Sequence, residues 1–115
     1  MSQEKPSIED ADSDVIRKQL YTILSEEVEA HTISEQDRLI LSLRLGLQSE
    51  KYYTLIQVGE ALHMLPERVR QRQYFLLRRK IKNPSFFKLL KIYALSRKLP
   101  PGFDRVISPK QVGPL

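Results

Sequence analysis

The chain has no cysteine and only two histidines, His31 and His63. The first absence removes disulfide frameworks, thiolate catalysis and cysteine-ligated zinc together, and two imidazoles so far apart in sequence make no metal site. No apolar run approaches the 18 to 20 residues needed to cross a bilayer. The start, MSQEKPSIEDADSD, lacks the basic and apolar stretches of a secretory signal. The expectation is a cytoplasmic protein with no membrane partner and no cofactor.

What is present suits a single soluble domain: 115 residues, 41% hydrophobic and 29% charged. The net charge of +5 is divided unevenly, with −5 on residues 1–30 and +10 on the rest. Between Pro66 and Lys98 eleven Lys and Arg residues face a single acid, Glu67. Such concentration is the electrostatic footprint of a polyanion-binding surface, although a merely solvated face has the same composition.

Periodicity predicts an all-α fold. Residues 1–12 read as a disordered acidic leader. Ile16, Leu20, Ile23, Leu24 and Val28 mark a helix from about Asp14 to Glu29, with Ser13 or Asp14 as its cap. A second helix starts at Ser34, with Asp37 completing a capping box, and ends at Gly46. Thr54 caps a short third helix carrying Leu55, Val58 and Leu62 inward. After His63-Met64-Leu65, Pro66 opens a fourth that runs to about Lys82, before Asn83-Pro84. Ser85 caps the last, with Phe86, Leu89, Leu90 and Tyr93 on one stripe. The helical domain thus spans 13–95, and 96–115 is a proline-containing tail that reads as a disordered end, with docking of Pro100-Pro101-Gly102-Phe103 and Val106-Ile107-Ser108-Pro109 into a partner's groove as the alternative. The pair Thr54 to Leu62 and Pro66 to Lys82 has a helix-turn-helix layout, with Gly59 where close approach favours a small side chain, as do many merely packed helix pairs.

From Ile33 to Pro84 the chain resembles the fourth conserved region of housekeeping-type bacterial sigma factors. The resemblance rests on Leu43-Arg44-Leu45-Gly46-Leu47, on the loop to Tyr53-Thr54-Leu55, on Val58-Gly59-Glu60, and above all on Glu67-Arg68-Val69-Arg70-Gln71. It implies a helical domain that reads the upstream promoter hexamer and docks on the flap of the RNA polymerase β subunit. It assigns base-edge contacts to Glu67, Arg70 and Gln71, and phosphate contacts to Arg44, Thr54 and Arg68. Helical geometry puts Glu67, Arg70, Gln71, Tyr74 and Arg78 on one side and Val69, Gln73, Leu76 and Leu77 on the other. Arg suits guanine, Glu cytosine and Gln adenine, each good pair discriminating about tenfold or more.

Leu65-Pro66 stand where the family has a small polar cap and an arginine, Arg72 replaces an inward apolar residue, and Tyr74-Phe75 replace small and basic ones. The run Arg78-Arg79-Lys80-Ile81-Lys82 is one residue longer than the family's. A straight helix there would bury Lys80 and expose Ile81, so a loosened or bulged turn is expected. No promoter-opening domain fits in this length. The expected function is a promoter-recognition or regulatory module, either a small stand-alone protein, one half of a divided sigma factor or a fragment of a longer chain, with a second protein to supply promoter opening. The alternative is an interaction module, of anti-sigma or decoy type, that occupies the flap or another protein without reading DNA. Enzymatic function is not expected: Glu26, Glu27, Glu29 and His31 lie near one another, but no nucleophile, phosphate loop or metal spacing accompanies them.

Overall fold

A computed structural model describes residues 8–49, 51–96, 99–100 and 102–103, of which 8–12 and 96 are described by backbone alone. Five helices follow one another: α1 (Ile8–Glu29), α2 (Glu35–Leu45), α3 (Leu55–Leu62), α4 (Pro66–Phe75) and α5 (Pro84–Ser96). A π-helical turn, Leu76–Lys80, continues α4. The chain is all-α, with no strand among the described residues. No described helix is long and apolar enough to cross a membrane.

The helix starts and stops follow local chemistry. Ser34 Oγ accepts from the Asp37 amide at 3.0 Å while the Ser34 amide donates to Asp37 Oδ2 at 2.9 Å, and Gly46 ends α2 at φ 63°, ψ 39°. Thr54 and Gln57 make the same reciprocal cap on α3. Leu65 gives α4 no side-chain cap, and Pro66 takes its first position. Three boundaries differ from expectation. Helix α1 begins at Ile8, six residues before Asp14, in a stretch whose acidic residues suit a helix start; residues 1–7 of the expected leader lie outside the described residues. Asn83, not Ser85, caps α5, its Oδ1 accepting from the Ser85 amide at 2.8 Å with Pro84 first in the helix.

The third difference is at the C-terminal end. Phe103 is fully buried as a member of the main core, which also holds Tyr93, Leu90 and the α1 side chains Ile16, Leu20 and Leu24, and Leu99 packs against the same core. Folded structure therefore extends past Leu95, and the strap that carries Leu99 and Phe103 packs on this chain's own core. Residues 104–115 of the expected tail lie outside the described residues.

The main core joins α1, α2, α5, the π turn and the strap, and Tyr93 Oη donates to the Leu45 carbonyl at 2.8 Å inside it. A second, much smaller core of Ile40, Val58 and Val69 ties α2, α3 and α4 together. The π turn reconciles the two. Its closing bond runs from the Ile81 amide to the Leu76 carbonyl at 2.9 Å, five residues back, and the extra residue leaves Ile81 buried and Lys80 half-exposed. The loosened turn expected from the conflict between Lys80 and Ile81 is present.

Candidate nucleic-acid interface

Helices α3 and α4 are joined by His63, Met64 and Leu65. The joint is tight because His63 takes a left-handed conformation (φ 60°) and the Met64 amide bonds back to the Gly59 carbonyl at 2.8 Å. A Cβ on Gly59 would lie 2.4 Å from the Met64 carbonyl oxygen, so the close approach admits no side chain there. His63 shapes this turn, and His31 (φ 65°) shapes the end of α1 in the same way. Among the described residues no group of acids and histidines could hold a metal.

With Val58 and Val69 turned into the small core, α4 presents its other side outward. Val69, Gln73, Leu76 and Leu77 are buried, while Glu67, Arg68, Arg70, Gln71, Tyr74 and Arg78 are exposed. This is the division that helical geometry implies. Arg70 forks onto Glu67, its Nε donating to Oε1 at 3.1 Å and its Nη2 to Oε2. The hydrogen bond from Arg70 holds the Glu67 carboxyl below its ordinary pKa, and Glu67 raises that of Arg70. A pair so exposed is worth little. Arg78 lies 5.3 Å over the Tyr74 ring, keeping a second cation and an aromatic on the same side.

Thr54 sits beside this face. Its hydroxyl oxygen accepts from the Gln57 amide, which leaves its proton free to donate to an oxyanion. Thr54, Arg70 and Tyr74 border an open groove of about 560 Å³ whose other edges include Ile56, Pro66 and Pro100.

Arg44, which the resemblance assigns to phosphate, lines the same groove, but most of its side chain is enclosed: Nε donates to Gln73 Oε1 at 2.8 Å, Nη1 to the Tyr53 carbonyl at 2.8 Å, and the Phe103 ring lies 6.0 Å from its guanidinium. Burial lowers its pKa from the usual arginine value. Arg44 joins α2, the loop before α3, α4 and the strap.

Arg72 is the site residue whose role sequence reasoning missed. It replaces an expected apolar contact with a fork onto Asp37, Nε to Oδ1 at 2.8 Å and Nη2 to Oδ2 at 2.9 Å. Asp37 is 2% exposed, and the same carboxylate caps α2. Burial alone would raise the pKa of Asp37. The bonds from Arg72 and Ser34, with the Arg72 charge, outweigh burial and hold it below the ordinary 3.8. The only signal in the sequence was an arginine at an inward position with no partner nearby in the chain.

The fold and this face define a small helical module with a cationic outward helix. In sequence it is similar to an RNA polymerase sigma factor SigA of a Bacillus species, at 37% identity over 73 residues. The match takes in 62% of this chain and 19% of that protein, a sigma-factor-like relationship over about a fifth of the relative's length. No protein-family model and no solved structure matches significantly.

Proposed function

We propose that the chain is a DNA-binding transcription module that uses α3 and α4 as a helix-turn-helix, reads duplex promoter DNA through α4 and works in contact with RNA polymerase at the β-subunit flap, with promoter opening supplied by a second protein. The observation that carries this reading is the outward face of α4. It aligns Glu67, Arg70 and Gln71, donors and acceptors suited to base edges, beside Arg68 and Thr54, which suit phosphates. Similarity to a sigma factor supports the same assignment.

The test is a difference in pattern. A preferred duplex is selected from a random library, and Arg70→Ala and Arg68→Ala are compared on it and on a scrambled duplex. Arg70→Ala is expected to lose about tenfold on the selected site and relax preference at one base pair. Arg68→Ala should weaken both duplexes alike and reduce the slope of log affinity against log salt by about 0.9. Equal loss on both duplexes with Arg70→Ala, polymerase binding persisting, favours the interaction module. One observation speaks for that second reading: Ile92 and Leu95 on α5, away from the reading helix, are 48% and 84% exposed, apolar surface that DNA reading does not use.

A further inference from the structure

The reading face stands on a small apolar core. Three side chains in it are fully buried, Ile40, Val58 and Val69, with Leu43, Tyr53, Leu55, Leu62 and Met64 partly buried against them, and the N-terminus of α4 has no side-chain cap. Apolar contact is non-directional, so this cluster resists separation of the helices better than it resists rocking of one on another.

Directional bonds are added at two points. Asp37 and Arg44 are seven residues apart on α2, hence on one face and about 10 Å apart along its axis. They hold the neighbouring α4 residues Arg72 and Gln73. Both carboxylate oxygens of Asp37 are engaged by the planar fork of Arg72, which fixes orientation as well as distance. Gly102 closes over the second point: a Cβ there would lie 2.6 Å from Gln73 Nε2.

We infer that Arg72 and Asp37, seconded by Arg44 and Gln73, form a two-point clamp that sets the angle at which α4 presents Glu67, Arg70 and Gln71, and so are positioning residues for base discrimination. The inference rests on the proposed reading of α4. Residues 72 and 73 follow Gln71 directly, so the clamp acts at the end of the reading segment. An atom about 6 Å off a helix axis moves about 1 Å when the helix turns by about 10°, and a displacement of that size is enough to break a bidentate contact. Arg72 itself turns toward α2 and touches no base in this scheme.

The test keeps the charge and removes the fork. Arg72→Lys is compared with the unsubstituted chain for affinity to the selected and scrambled duplexes, well below the unfolding midpoint of both proteins. Scrambled affinity and salt slope are expected to stay unchanged while the ratio of selected to scrambled affinity falls about tenfold. Asp37→Asn also removes the charge-paired fork, but it removes a negative charge and weakens the α2 cap, so for it only the fall in the ratio is expected, without an unchanged salt slope. Because the chain has no cysteine, nitroxide labels on Gln36→Cys and Gln71→Cys report the geometry without DNA. Their distance distribution is expected to be narrow with Arg72 and to broaden with Lys. A ratio unchanged in Arg72→Lys, a proportional loss on both duplexes, or an unbroadened distribution overturns the inference. A parent chain that does not discriminate between duplexes overturns the reading of α4 and this inference with it, and is distinguishable because it is seen before any substitution is made.

Discussion

Replacing Phe103 with alanine tests whether the strap belongs to the folded domain. The ring is fully buried in the main core and lies 6.0 Å from the Arg44 guanidinium. Truncating such a phenylalanine costs about 3–5 kcal/mol when the cavity stays open. The strap is terminal to α5 and can leave the remainder folded, so the loss is bounded by its docking energy, and the lower end, about 3 kcal/mol, is expected. For a domain of this size that is a fall of about 12 °C in Tm. The assay is urea and thermal unfolding by far-ultraviolet circular dichroism, with Leu95→Ala as control. Leu95 is 84% exposed and should shift stability by less than about 0.5 kcal/mol. A Phe103→Ala loss under about 1 kcal/mol would show that the ring is not held in the core in solution, and the extension of the domain past Leu95 would fall.

Gly59→Ala drives a methyl into the Met64 carbonyl and is expected to destabilise by about 1–3 kcal/mol, measured by urea midpoint; a neutral result would mean that α3 and α4 sit further apart. Asp37 has a folded pKa below its unfolded value, so its stabilisation is present above about pH 4 and is lost as pH falls through the folded pKa. Acid titration of stability should be shallower in Asp37→Asn than in the parent, and equal slopes would argue against the ion pair. Arg44→Gln should lower Tm more than Arg68→Ala, since Arg44 joins four segments inside the fold and Arg68 is exposed; the reverse order would return Arg44 to the surface.

Local signals were legible in the residues. A serine followed three positions later by an acid, a glycine after an apolar run and a proline opening a helix each act within one turn of chain, and the caps at Ser34, Gly46 and Pro66 follow from them. The π turn was legible for a different reason: two helical phases, one serving Leu76 and Leu77 and the other Ile81, cannot share a straight helix. The two faces of α4 came from the same arithmetic. Partners distant in the chain were not legible. Asp37 and Arg72 are 35 positions apart and Arg44 and Gln73 are 29 apart, and nothing local distinguishes a paired arginine from a solvated one. The bonds that enclose Arg44 were missed on that account. Phe103 was missed because periodicity needs repetition, and one aromatic after Pro-Pro-Gly has none.

The π turn has a consequence for how such chains can vary in length. A helix of fixed phase passes any insertion on as a rotation of everything beyond it, about 100° for each residue. Here a single five-residue bond from Ile81 to Leu76 absorbs that rotation, so the segment before it keeps its bearing on α2 and the segment after it keeps its place against α1 and α5. A solvent-facing residue lost at this turn therefore closes it to ordinary α-helix, while the outward face and the core keep their bearings.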